Sequence, residues 1–303
     1  GDYPAMSTYV RSSTVMVREH TLIDLGEIGG RVSADFAFPL PPEQVVNPYS
    51  AQTKPLLYEY LKYYNIYADR MEKCLRYQFE DLPACVHPYS SQIAQEASAY
   101  AYATLFGLDD GIDGKGVSDP IFLARLYEQM ELAFNGNVPA AEHLPFPSDM
   151  SDSSRQEFIG IVQGLARLHE VYYHPVLEHT GAEFGFEKET LHEYLTSTLV
   201  EKRQEHQFVT EEQYLQNRQD TGGIRHAYAI LAFFERINVR RLMKLYGQLG
   251  YMLREVADAV GILNDVLSAG KELKELQEKV RRSGGDPNNL KILKENVTSN
   301  LVL

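Results

Sequence analysis

From residue 53 onward, apolar side chains return every three or four positions, the period of a helix with one buried face. Leu56, Leu57, Tyr60, Leu61, Tyr64 and Tyr67 predict one helix over residues 53–80, and LPACVHP reads as a loop. The aromatic, alanine-rich run of residues 89–110 predicts a second helix, fraying at Gly111 and stopping by Gly114. Asp119 and Pro120 read as the cap and first turn of a third. Residues 135–154 form a linker about 20 residues long. Further helices are expected over 155–178, 185–209, 211–234 and 239–278, with another beginning at 290. The helix over 211–234 is interrupted at Thr221, Gly222 and Gly223, where paired glycines predict a kink. Residues 1–50 lack this period. VMVREHTLIDL suits a short strand or arm, and four prolines break DFAFPLPPEQVVNP, so an irregular segment packing on the domain is expected. Residues 51–303 are then a single all-α domain, a helical bundle around a central apolar cavity.

Two polar clusters break the apolar pattern. Asn264, Ser268 and Glu272 lie in AVGILNDVLSAGKELKEL at spacings of four. Each step turns only about 40° round a helix, so the three share a face. Oxygen donors of that kind suit a hard divalent cation such as Mg²⁺. Far upstream, AYAYATLFGLDDGIDGKG ends in Asp109, Asp110 and Asp113. Carboxylates at a helix C-terminus face the negative end of its dipole, which is unfavourable without a cation. An EF-hand reading fails, because counting from Asp109 the twelfth position is Pro120 instead of Glu.

Together these stretches resemble the class I terpene synthases (terpene cyclases) of microbial type. Asp109-Asp110-Gly111-Ile112-Asp113 resembles that family's aspartate-rich motif, and the nine residues from Asn264 to Glu272 resemble its second metal motif. Arg218-Gln219-Asp220-Thr221-Gly222 resembles the diphosphate-sensing arginine with its linker, 46 positions before Asn264. The resemblance implies three Mg²⁺ ions, with Mn²⁺ as a substitute. Asp109 and Asp113 would serve two ions, and Asn264, Ser268 and Glu272 the third. Asp110 would instead salt-bridge an arginine. Arg218 and Lys271 would bind diphosphate oxygens, while Thr221 and Gly222 respond to Arg218. Tyr102 and Phe106, seven and three residues before Asp109, would line the substrate pocket. The implied reaction is cyclisation of a prenyl diphosphate, farnesyl diphosphate by preference, to a sesquiterpene. The alternatives are a trans-prenyltransferase on the same fold and a non-catalytic helical isoprenoid- or metal-binding protein. A prenyltransferase would carry a second D-D-x-x-D, where this chain has Asn264-Asp265. The family also carries an Arg-Tyr pair beyond the second metal motif. The 31 residues after Glu272 hold none, so either a C-terminal helix is missing here or the site closes otherwise.

Composition narrows the partners. A formal net charge of −13 argues against a nucleic-acid surface. It does not exclude an anionic substrate, since metal ions and a few local cations invert the sign of a site. No apolar run approaches the ~20 residues of a membrane helix, and GDYPAMSTYVRSST lacks a signal peptide's apolar core. Two cysteines, Cys74 and Cys85, are too few for a disulfide framework. A cytoplasmic monomer or homodimer is expected.

Overall fold

The computed structural model describes residues 15–24, 31–40, 45–114, 117–180, 184–204, 210–289 and 291–293. The expected helix from residue 290 lies outside these but for 291–293, as does the tail of the helix expected to reach 209. The chain divides into two compact units, Val46–Ile262 and a smaller one made of Gly1–Val45 with Leu263–Leu303.

The larger unit is helical throughout its regular structure: α1 (Ser50–Tyr63), α2 (Met71–Tyr77), α3 (Asp81–Val86), α4 (Gln92–Gly114), α5 (Pro120–Phe134), α6 (Asp152–Leu168), α7 (His174–Thr180), α8 (Gly185–Gln204), α9 (Glu211–Thr221), α10 (Ile224–Phe234), α11 (Val239–Leu245) and the first part of α12 (Gly247–Arg282). Helix α4 is central. Its alanines at 94, 97, 99, 101 and 103 are buried on every side, and α1, α6 and α10 pack against it. Small side chains all round a helix let neighbours approach from several directions. Helix α5 starts where expected: the Asp119 carboxylate accepts from the Ile121 and Phe122 N–H groups at 2.9 and 3.0 Å. Helix α9 opens on a capping box between Thr210 and Gln213. A π-helical turn, His169–Tyr173, joins α6 to α7 and carries Tyr173 into a cluster with Phe134, Phe184, Phe233 and Phe234.

The structure redraws four sequence expectations. The helix predicted over 53–80 stops at Tyr63 and restarts at Met71, because Asn65 and Tyr67 take left-handed backbone with φ of 54° and 61°. Tertiary bonds hold that turn: the Tyr67 N–H donates to Glu157 Oε1 at 3.0 Å, and Arg70 pairs with the same buried carboxylate. LPACVHP is helical over most of its length, as α3. The helix predicted over 239–278 breaks at Tyr246, whose φ of −125° and ψ of 83° separate α11 from α12. The expected irregular segment contains two strands, β1 (Val15–Asp24) and β2 (Arg31–Leu40), paired antiparallel from Val15 opposite Leu40 to Asp24 opposite Arg31. That hairpin belongs to the smaller unit, with the second part of α12. There Leu273, Val280 and Leu293 form a small apolar cluster with Leu276 and Ile292. Neither Cys74 nor Cys85 is in a disulfide, and no helix among the described residues is long and apolar enough to cross a membrane.

Candidate functional site

The C-terminal end of α4 concentrates negative charge. Asp110 receives Lys73 Nζ of α2 at 2.5 Å, and the buried Tyr67 phenol lies beside it. The expected ion pair to Asp110 is thus made, with a lysine in place of an arginine. Asp113 receives Lys202 Nζ of α8 at 2.5 Å. Asp109 keeps open surface, while the protein around it partly desolvates its carboxyl. Burial, then the charges of Asp113 and Glu201, raise its pKa from an ordinary 3.8 to about 7, against the opposing pull of Lys202. Asp109 therefore carries its charge at a cost.

The chemistry of this donor set would suit a divalent cation. Asp109 has its ionised form penalised by neighbouring carboxylates, and a cation between them would remove that penalty. Among the described residues no group of three or more His, Cys, Asp and Glu side chains converges on one metal position.

The crowding has a measurable consequence. A carboxyl whose pKa is raised in the folded protein binds its proton more tightly there than in the unfolded chain. Its contribution to stability is complete below about pH 4 and is lost as pH rises through 7. Asp109→Asn removes that loss. In chelator, the variant's melting temperature should exceed wild type's by a margin that widens from about pH 5 to pH 8. A constant margin across that series would contradict the assignment.

Arg218 lies on α9, and its aliphatic stem covers Gly261 of α12: a Cβ there would come 2.8 Å from Arg218 Cγ. The predicted interruption after it is real. Helix α9 ends at Thr221 and α10 begins at Ile224. Gly222 keeps helical backbone and donates its N–H to the Arg218 carbonyl at 3.0 Å, so the left-handed residue is Gly223, with φ of 67°. Thr221 Oγ1 is buried without a hydrogen-bond partner among the described residues. Arg225, just after the break, holds Glu193 of α8 at 2.6 Å and Asp220 at 3.7 Å.

On α12, Ser268 donates to Glu272 Oε1, so two of the predicted metal donors already touch. Asn264 is exposed, Ser268 and Glu272 are half-buried, and Asp265 is fully buried. Lys271 is exposed, with Nζ 3.7 Å from Glu275. Seven residues place it about 20° from Asn264 round the helix, on the same face. Of the two predicted aromatics, Tyr102 is buried, its hydroxyl 2.8 Å from His87 Nε2, whereas Phe106 is half-exposed against Phe79. A groove of about 660 Å³ lined by Tyr60, Tyr64, Tyr100 and Tyr172 contains none of the predicted site residues.

Sequence reasoning missed Lys73, Lys202 and Glu201. Each reaches the α4 end from another helix, and no local spacing announces that.

The chain belongs to terpene synthase family 2: that family's C-terminal metal-binding model matches residues 100–290, more than half of its length. It is thus a terpene synthase by family. Its fold is that of germacradien-4-ol synthase from Streptomyces citricolor, at 17% identity and a TM-score of 0.60, over 85% of this chain and 80% of that one. Hedycaryol synthase is similar over 85% of this chain and 78% of its own, at 15% identity and a TM-score of 0.59. A variant of the SVS_A2 protein from ancestral sequence reconstruction is similar at 16% identity and a TM-score of 0.58, over 76% of this chain but only 65% of that one. No curated protein is detectably similar in sequence.

Proposed function

We propose that the chain ionises a prenyl diphosphate, farnesyl diphosphate by preference, and cyclises the resulting cation with release of diphosphate. The crowded carboxylate of Asp109 carries this reading, because it is a poorly compensated anion at a helix end already unfavourable to negative charge. Family membership supports the reaction class.

Asp109 and Asp113 would hold Mg²⁺, and Asn264, Ser268 and Glu272 would hold it at the second motif. Two or three protein donors per ion leave positions for water and phosphate oxygens, as Mg²⁺ prefers. The ions supply neutralisation of the charge that develops on the departing diphosphate. Arg218 offers that group a planar fork of N–H donors, and Lys271 a point charge. Thr221 and Gly222 would let the end of α9 adjust when Arg218 engages phosphate, with the left-handed Gly223 as the pivot. Lys73 pairs with Asp110, and Lys202 would have to release Asp113 for Asp113 to serve as a ligand. Phe106, half-exposed one turn before Asp109, would present a ring face to the allylic cation. Tyr102 would limit pocket depth from below.

The test is turnover of the ten-, fifteen- and twenty-carbon prenyl diphosphates with Mg²⁺, the extract read by gas chromatography with mass detection. A cyclic fifteen-carbon hydrocarbon or alcohol is expected. A longer diphosphate would identify a prenyltransferase, and no product from any of the three would remove the catalytic reading.

A further inference from the structure

We propose that Lys202 is a diphosphate-binding residue that waits on Asp113: a metal ion taking Asp113 releases the lysine, and its ammonium passes to the substrate's diphosphate. The inference rests on the metal-binding reading of Asp113 given above. Two lysines close on the end of α4, and the structure holds them differently. Lys73 is fixed from two sides, with Nζ 2.5 Å from Asp110 Oδ1 and 5.6 Å from the centre of the Tyr77 ring. Asp110 is only 19% exposed, so that pair has little room to part. Lys202 makes the same 2.5 Å contact to Asp113 Oδ1, but Asp113 is 57% exposed. A cation arriving from solvent reaches that carboxylate without unpacking the protein.

What then becomes of Lys202 decides its role. Its side chain is only 20% exposed. An ammonium so covered is costly without an anion beside it. It stands on the last turn of α8, where the helix dipole favours a cation. When a divalent cation takes Asp113, the ammonium loses this partner and gains a repulsive neighbour. Diphosphate brings several acceptor oxygens, and it is the anion whose charge the metal ions neutralise. A lysine suits such a group, as a point charge on a flexible four-carbon stem. One lysine therefore serves in both states. It compensates Asp113 before the metal arrives and diphosphate afterwards.

The experiment makes two measurements on wild type, Lys202→Gln, Lys202→Arg and Asp113→Asn, with a thermal melt of each. Mn²⁺ binding without pyrophosphate is read by electron paramagnetic resonance of the free ion. Inorganic pyrophosphate binding at saturating Mg²⁺ is read by calorimetry. Lys202→Gln should bind Mn²⁺ about two- to fivefold more tightly, the scale of a partly exposed ion pair. It should bind pyrophosphate about tenfold more weakly, the scale of one charged hydrogen bond. Lys202→Arg, which keeps the charge, should recover most of the pyrophosphate affinity. A merely structural lysine cannot give opposite signs in one variant, since damage to the fold weakens both. Tighter Mn²⁺ binding with unchanged pyrophosphate affinity would mean that the released lysine settles on a protein carboxylate such as the adjacent Glu201, and would overturn the proposal. Unchanged or weaker Mn²⁺ binding in Lys202→Gln would overturn the release from Asp113 on which it depends. Unchanged Mn²⁺ affinity in Asp113→Asn would instead overturn the metal-binding reading beneath it.

Discussion

Glu272→Gln is expected to yield a folded protein whose turnover of prenyl diphosphate falls about 100- to 1,000-fold, the usual cost of removing one group that stabilises developing charge. The substitution exchanges one carboxylate oxygen for an amide nitrogen at nearly constant volume. Glu272 is half-buried and accepts from Ser268 one turn earlier on the same helix, a bond that the amide oxygen of glutamine can keep. Helical structure should survive, and the loss should appear in the chemistry. On the proposed reading, the missing negative charge lowers metal occupancy, so raising Mg²⁺ should recover part of the activity. Asn264→Ala should behave similarly, since Asn264 is exposed and its removal leaves no void. Diphosphate release and circular dichroism on the same preparations decide the matter. Wild-type turnover in Glu272→Gln would remove the second motif from the mechanism.

Gly160→Ala should be the most destabilising small substitution in the larger unit, costing about 3 kcal/mol or more, at or beyond the upper end of ordinary overpacking. A Cβ at position 160 would stand 1.6 Å from the Tyr64 carbonyl oxygen, a backbone atom that no rotamer change can move. The end of α1 would have to lift from α6. That movement strains the Tyr67 N–H bond to Glu157 at 3.0 Å and the Arg70 pair to the same carboxylate. Gly164, four residues on and so on the same face, meets the Tyr60 hydroxyl at 2.5 Å instead, the end of a side chain and not a backbone atom. Gly164→Ala should therefore cost less. Gly247→Ala, with nothing within 4 Å, should be neutral or slightly stabilising. Urea titrations of the three variants give the ranking, and a Gly160→Ala midpoint equal to that of Gly247→Ala would refute it.

What could be read in the sequence was what repeats locally. The shared face of Asn264, Ser268 and Glu272 follows from a spacing of four on a helix. The break at Thr221 to Gly223 follows from paired glycines, and the start of α5 from Asp119 and Pro120. The acidic end of α4 was legible for the same reason. Features set by contacts between distant segments were not. The left-handed turn at Asn65 and Tyr67 depends on a carboxylate ninety residues away. The hairpin needs β1 and β2 in register, and residues 35–40, up to Pro39 opposite Met16, resemble loop more than strand. The assignment of Lys73 to Asp110 and Lys202 to Asp113 depends on helix packing, which no single-helix pattern encodes. Gly222 was named as responding to Arg218 within the expected kink, whereas the left-handed backbone falls on Gly223.

The socket at Glu157 and Gly160 also bears on how the chain is made. The turn after α1 is held by a residue ninety positions downstream, so that turn emerges from the ribosome long before its partner exists. At synthesis rates of roughly 5–20 residues per second, the interval is on the order of 5–20 seconds. During it, Ile66 and Tyr67, both fully buried in the finished protein, have no α6 beside them. Expression yield should therefore respond to holding chaperones that act on nascent chains.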